Sequence, residues 1–263
     1  MDQLCVAYLD SGQYVLSLRQ SPRERIKWLD AMLAAARRQK QRDLEEQALN
    51  GLGNVYADLG ETRRAIAFYE QDLAIARETG DRKGEGAALG NLGGAYADLK
   101  ETNKSIEFYE QSLAIAREVG DLRREGNALN NLGVAFRRLG EPKRAAEFYK
   151  QHLKIAREIG DRRGEGSVLN NLGNAYADLG ETALAIECYE KQLEIVRKIG
   201  DQRAEAYGLH SKAESLDKLG EREYAIEHLE AALKIYEQIE EPLAEQARVL
   251  LSEWKSARSL HQD

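Results

Sequence analysis

The feature that most constrains this chain is a repeat of forty residues that runs without an insertion. Gly80-Asp81, Gly120-Asp121, Gly160-Asp161 and Gly200-Asp201 stand at constant spacing, and Leu52-Gly53, Leu92-Gly93, Leu132-Gly133 and Leu172-Gly173 recur in the same register. Residues 81–120 and 161–200 are identical at 24 of 40 positions. The unit 201–240 has drifted: it keeps Leu209, Leu219-Gly220 and Ala225-Ile226 but carries Lys212-Ala213 in place of Leu-Gly. A period of this length marks a copied supersecondary unit that cannot bury its apolar face alone, so neighbours must stack. It overrides the two domains that 263 residues would otherwise suggest. The organisation read from it is a degenerate leading segment over 1–40, five units over 41–240 and a capping helix over 241–263.

Each unit reads as two helices. In 161–200, Leu169, Leu172, Gly173 and Tyr176 fall on one face of a 3.6-residue period. This is helix A, begun by Asp161 as N-cap and ended near Gly180. Helix B follows from about Thr182 to Ile199, with Ala185, Ile186, Tyr189, Leu193, Ile195 and Val196 spread over more than one face. Gly200 ends it. Pro22 and Pro142 suit the first turn of a helix, where a missing N–H costs nothing, and Ser21-Pro22-Arg23-Glu24 fits a capping box. A glycine inside helix A costs about 1 kcal/mol against alanine; close approach of helix B at Ala185 is the expected reason. After Pro242, a single stripe of Leu243, Ala247, Leu250, Trp254 and Ala257, with Glu253 in place of the packing glycine, predicts a solvating cap. The expectation is about thirteen helices, antiparallel to their neighbours, and no strand.

Composition excludes several functional classes. Lysine and arginine total 38 against 45 aspartate and glutamate, a net charge of −7 with both signs interleaved, which argues against nucleic-acid or anionic-membrane binding. Two cysteines, Cys5 and Cys188, make no disulfide framework and read as free thiols of a reducing compartment, the cytoplasm. No apolar run approaches a membrane span, and residues 1–20 do not read as a secretion signal. None of the phosphate-binding, zinc-hydrolase, nucleophile-elbow or EF-hand motifs occurs, and Gly84-Glu85-Gly86 with Gly90 has the wrong spacing for a dinucleotide loop. No enzyme, cofactor or metal is expected. His152 has no second ligand at metal spacing. Glu/Arg pairs such as Arg77-Glu78 beside Asp81-Arg82 read as a solvated salt-bridge face.

Leu169, Leu172-Gly173, Tyr176, Gly180, Ala185, Tyr189 and Leu193 resemble the tetratricopeptide repeat signature. The forty-residue form, with Leu52-Gly53-Asn54, Leu172-Gly173-Asn174 and an Ile-Ala-Arg-Glu-x-Gly-Asp junction, is similar to Pins-type polarity adaptors. The resemblance covers residues 21–240 and implies an all-α, right-handed superhelical solenoid of antiparallel helix pairs. Ser21 to Leu29 followed by Ala34-Ala35-Ala36-Arg37-Arg38, and the exit from Leu233 to Ile239 with Pro242, resemble the ends of the C-terminal repeat array of bacterial STAND-type (NB-ARC) signalling NTPases. In that family the repeats are the sensor arm and a separate upstream domain binds nucleotide.

The resemblance also implies that the face of helix A opposite its apolar stripe lines a concave groove. In 161–200 that face carries Ser167, Asn171, Asn174 and Asp178; the other units supply Asn54 and Asp58, Asn91 and Asp98, Asn127, Asn131 and Arg138, then Tyr207, Glu214 and Lys218. Asn91, Asn131 and Asn171 would form a ladder flanked by Asn50, Asn130, Asn170 and His210. Asparagine offers donors and an acceptor to the backbone of an extended peptide. Specificity would come from Asp58, Asp98 and Asp178, interrupted by Arg137, Arg138 and Lys218: an acidic groove with a basic patch in its later half. The alternative is that these asparagines are solvated or bridge neighbouring A helices. Asp72, Ser112, His152, Gln192 and Ala232 share one position on helix B, which reads as a hydrogen-bonding site to the next A helix, with a contact into the groove as the alternative. The functional expectation is a protein or peptide binder serving as a STAND sensor. A free-standing adaptor and a self-associating assembly module are the alternatives, the last favoured if Trp28 and Trp254 are exposed.

Overall fold

The computed structural model describes residues 21–259. Cys5, the first half of the 1–40 segment and the side chain of Ala257 lie outside that description. Among the described residues there are twelve helices and no strand. They are α1 Pro22–Gln39, α2 Arg42–Asp58, α3 Thr62–Thr79, α4 Arg82–Asp98, α5 Thr102–Val119, α6 Leu122–Arg138, α7 Pro142–Glu158, α8 Arg162–Asp178, α9 Thr182–Ile199, α10 Gln202–Lys218, α11 Arg222–Gln238 and α12 Leu243–Ser259. Even-numbered helices from α2 to α10 are the A helices and odd-numbered ones from α3 to α11 the B helices. The described residues form two compact units, divided between Ala128 and Leu129 within α6.

The helix ends follow the local chemistry. Ser21 and Glu24 form the reciprocal capping box before α1, with Pro22 in its first turn. Asp161 Oδ1 accepts from Gly164 N at 2.9 Å at the start of α8, and Gly200, at φ 72°, closes α9. Only glycine takes that left-handed conformation without a Cβ penalty.

In the first unit, Leu49, Leu52 and Val55 of α2 pack with Leu29, Met32 and Leu33 of α1, and Leu89 and Leu92 of α4 pack with Tyr69 and Leu73 of α3. In the second, Leu209 and Ala213 of α10, Leu229 and Tyr236 of α11, and Ala247, Leu251 and Trp254 of α12 form one cluster. Leu251, absent from the stripe read for the cap, belongs to this core, because α12 rests on α11 over a broader face than a single stripe.

The glycine inside helix A does permit close approach, but its partner is one turn beyond Ala185. A methyl on Gly173 would lie 2.5 Å from Tyr189 Cε1, and the Tyr109 ring covers Gly93 likewise. The ring lies flat on bare backbone, and its hydroxyl reaches across helix A: Tyr189 donates to Asn174 Oδ1 at 2.8 Å, and Tyr69 to Asn54 Oδ1 at 2.8 Å.

The junction glutamates are not simply solvated. Glu45, Glu85 and Glu165 are buried in the first turn of their A helices. Arg37 Nε donates to Glu45 at 2.9 Å and Arg42 to its other oxygen at 2.8 Å; Arg77 and Arg82 hold Glu85, and Arg157 and Arg162 hold Glu165. Burial pushes the Glu45 and Glu85 carboxyls up, but their arginine pairs outweigh it and leave both below the ordinary range. The sequence signal was available: Arg37-Glu45, Arg77-Glu85, Arg117-Glu125, Arg157-Glu165 and Arg197-Glu205 recur eight residues apart, across the B-to-A turn.

Candidate functional site

The eighteen residues read as a binding face are all at least partly exposed. They divide by what already holds them. In the first unit, Asn50 Nδ2 donates to Asp72 Oδ2 at 3.1 Å, Asn54 donates to Asn50 at 3.1 Å, and Asp58 stands 3.7 Å from Arg25. Asn91, Asp98 and Asn127 form no hydrogen bond or ion pair with a described residue.

In the second unit, Asn171 Nδ2 donates to Asn130 Oδ1 at 3.0 Å, so one rung of the ladder and a flanking asparagine bridge adjacent A helices α6 and α8. Arg137 of α6 donates through Nε to Asp178 of α8 at 2.5 Å, so basic patch and acidic residue partly neutralise each other. His210 lies 3.4 Å from the Tyr236 hydroxyl and 4.0 Å from Glu214. Burial depresses the His210 imidazole, with Glu214 opposing. Asn131, Arg138 and Lys218 form no hydrogen bond or ion pair with a described residue.

The second unit also contains a cleft of about 580 Å³ between α8 and α10, floored by α9. Its α8 wall is Arg163, Ser167, Asn170 and Asn171; its opposite wall is Asp201, Arg203 and Tyr207. Gln192, Val196 and Ile199 form the floor. Arg163 bridges the mouth to Asp201 at 3.1 Å, while Arg203 and the Tyr207 hydroxyl turn to Glu241 at 3.1 and 3.2 Å. Asn170 Oδ1 and Gln192 Oε1 are buried acceptors without a partner. The cleft thus joins the apolar side chains of its floor to the polar side chains of Ser167, Asn170, Asn171 and Tyr207, the combination an inserted side chain of a polypeptide uses. Sequence reasoning found Asn170, Asn171 and Tyr207 but missed Arg163 and Arg203, since a charged residue in a first helical turn looks like a solvated one.

The shared helix-B position behaves differently from repeat to repeat. Gln192 Nε2 donates to Ala204 O at 2.8 Å, across to the next A helix as read. Asp72 and Ser112 instead bond within their own pair, to Asn50 and to Gly86 O at 2.7 Å, because their shorter side chains reach helix A of the same repeat. His152 Nδ1 is buried and unpartnered, and burial lowers its pKa. Among the described residues no group of three or more His, Cys, Asp or Glu could hold a metal ion.

Tetratricopeptide repeat descriptions match residues 48–83, 84–158 and 165–238. The chain belongs to the tetratricopeptide repeat family. No curated protein matches it in sequence. Among solved structures it is similar to BtubC (BKLC) from P. vanneervenii, at 21% identity and TM-score 0.75 over 84% of this chain and 93% of that one. It is similar as well to a STAND protein with a tetratricopeptide repeat sensor from Pyrococcus horikoshii, at 15% identity and TM-score 0.73, covering 98% of this chain and 45% of the larger one. The quorum sensor NprR from B. thuringiensis matches at 19% identity and TM-score 0.72, over 95% of this chain and 68% of that one. At these identities the likeness is one of fold.

Proposed function

We propose that the chain is a non-enzymatic interaction scaffold that binds a peptide or protein segment along the inner faces of its A helices. The observation that carries this is the α8–α10 cleft, where Val196 and Ile199 lie below the half-exposed polar side chains of Asn170, Asn171 and Tyr207. Asn91, Asn127, Asn131, Arg138 and Lys218, uncommitted among the described residues, extend the surface within their own units. Solved structures with this fold include a quorum sensor and a Rap protein complexed with competence and sporulation factor, which supports recognition of a polypeptide.

The likeness of 98% of this chain to 45% of a STAND protein with a tetratricopeptide repeat sensor supports a role as the sensor arm of a bacterial, cytoplasmic signalling NTPase with an upstream nucleotide-binding domain. A free-standing adaptor is the second reading. Sequencing the gene upstream of Met1 separates them: a continuous frame with a phosphate-binding loop supports the sensor arm, and a stop codon next to Met1 supports the adaptor. Self-association is less favoured, since Trp254 is buried and Trp28 packs half-buried on the first core.

Peptide display on the immobilised full chain should enrich one sequence class. Affinity for it should fall about tenfold in Asn131→Ala/Asn171→Ala, equivalent to losing about 1.4 kcal/mol of side-chain hydrogen bonding. Helicity by circular dichroism should not change. No enrichment, or affinity indifferent to the double substitution, would contradict the proposal.

A further inference from the structure

The turns α2–α3, α4–α5 and α6–α7 are closed by one arrangement. The glutamate before each B helix pairs with the cation three residues on: Glu61 with Arg64 at 2.7 Å, Glu101 with Lys104 at 2.6 Å and Glu141 with Arg144 at 2.8 Å. The same cation lies over an aromatic ring of helix A, Arg64 over Tyr56, Lys104 over Tyr96 and Arg144 over Phe136, at 5.3, 5.0 and 3.8 Å from the ring centroid. The next two turns keep the glutamates, Glu181 and Glu221, but carry Leu184 and Tyr224 in place of the cation. Both changes fall in the second unit, where the α6–α7 turn retains the original form.

No described cation takes over. Glu181 and Glu221 are exposed, cap no helix N–H and form no hydrogen bond or ion pair with a described residue. Arg222, next to Glu221, bonds Asp217 at 2.6 Å, and Lys150 of α7 lies over the Tyr176 ring. Leu184 is 42% and Tyr224 57% exposed, each in a turn whose own leucine, Leu179 or Leu219, is exposed as well. Stability gives no reason for the change. Arginine and lysine form helix about as well as leucine and better than tyrosine, and the replacements uncover apolar surface while leaving a carboxylate unpaired. Single exposed apolar residues are ordinary. Here, however, one position changes in two successive repeats, and to different residues, so copying of one repeat does not account for both.

The missing partner is defined by what the earlier turns supply internally, a cation for the glutamate. An anionic lipid surface would meet unpaired carboxylates, and a second copy packed on this edge by a two-fold axis would bring the same carboxylates to both sides of the contact. Among the described residues there is no strand edge to extend. A helix, by contrast, sets lysine or arginine beside apolar residues at three- and four-residue spacing. We infer that the α8–α9 and α10–α11 turns form a second docking edge, distinct from the inner faces of the A helices, for a basic amphipathic helix of a partner protein. Its lysine or arginine side chains bond Glu181 and Glu221, and its apolar face covers Leu184 and Tyr224.

The test is a titration of the isotopically labelled full chain, followed by backbone amide resonances, with a synthetic helical peptide that carries leucine on one face and lysine along its borders. An isomer of the same composition without an apolar face and a version with glutamate for lysine serve as controls. The first peptide should shift Glu181, Leu184, Glu221 and Tyr224 saturably, and both controls should bind about tenfold more weakly. Leu184→Arg/Tyr224→Arg, which installs the residue of α7 at both exposed positions, should weaken binding about tenfold with helicity by circular dichroism unchanged. Glu181→Gln/Glu221→Gln should weaken it about threefold, and this variant decides should the arginine variant fail to fold. Asn131→Ala/Asn171→Ala should leave binding unaltered, which separates this edge from the proposed binding face. Equal response to either control, shifts that persist in a folded arginine variant, or shifts confined to the A helices would overturn the inference. So would a dimer of the free chain in sedimentation that the arginine variant abolishes, because a second copy would then be the occupant.

Discussion

At the scale of single residues, the contact between a helix-A glycine and a helix-B tyrosine decides how closely the two helices of a pair approach. Gly173→Ala gains about 1 kcal/mol of helix propensity. The new methyl, however, would lie 2.5 Å from the Tyr189 ring, and such overpacking costs about 1–3 kcal/mol. Urea denaturation should therefore show a net loss of up to about 2 kcal/mol; a stabilised variant would mean that the ring yields freely. Asp72 gives a second residue-level consequence. Its folded-state pKa stands near 6 against an ordinary 3.8, so between those values the folded chain retains a proton that the unfolded chain has lost. Its contribution is greatest below pH about 4, declines as pH rises through about 6, and is flat above. The groups facing it are Asn50 and Glu46 of α2 and Asp81 before α4, and Glu46 titrates in the same direction. Asp72→Ser should remove on the order of 2–3 kcal/mol of this pH dependence, measured as the difference in unfolding free energy from wild type between pH 4 and 7. A parallel pair of profiles would show that Asp72 ionises normally.

At the scale of elements, punctuation by Asp and Gly made the helix boundaries readable before any coordinates. Asp161, Gly180, Thr182 and Gly200 mark the ends of α8 and α9 as read, since an N-cap carboxylate and a left-handed glycine are local requirements. Contacts between elements were less legible. Periodicity placed Gly173 on the inner face of helix A, yet whether Ala185 or Tyr189 meets it depends on how far B slides along A, which side-chain volume settles. The punctuation has exceptions, and they are testable. Lys100 holds φ 62° at a turn where Gly60, Gly140, Gly180 and Gly220 serve elsewhere. A left-handed non-glycine costs about 1–2 kcal/mol, and the extra chain entropy of glycine offsets about 0.5–1 kcal/mol. Lys100→Gly should then raise stability by about 0.5–1 kcal/mol, visible as a higher Tm; a lower Tm would indicate that Lys100 contributes a contact worth more than the strain. At another point the pattern changes rather than breaks. Tyr56, Tyr96 and Phe136 stack on Phe68, Phe108 and Phe148, and where the series would continue Cys188 takes the phenylalanine's place beside Tyr176. Burial pushes the Cys188 thiol up to about 11, which makes it a packing residue rather than a reactive one.

At the scale of the whole chain, the family was legible because a forty-residue period admits few solutions, and the repeat matches run from residue 48 to residue 238. The candidate site was legible only in outline. Helical phase pointed to Asn170, Asn171 and Tyr207, which line the α8–α10 cleft, and offered bridging between A helices as the alternative for the asparagines without saying which of them bridge. The fold gives several of them internal work: Asn54 and Asn174 receive tyrosine hydroxyls, Asn130 and Asn171 join neighbouring helices, and Arg137 binds Asp178. Pairings between residues forty positions apart follow from stacking geometry, which no window of sequence contains. Within each unit, the side chains left unengaged, and in the second the α8–α10 cleft, are the places proposed for a bound polypeptide. Hydrogen–deuterium exchange of the full chain, with and without a display-selected peptide, tests that claim most directly. Protection should concentrate in the A helices α2, α4, α6, α8 and α10, strongest around Asn170, Asn171 and Tyr207, with the B helices little changed. Protection confined to the B helices or to α12, with the A helices exchanging as in the free chain, would contradict it.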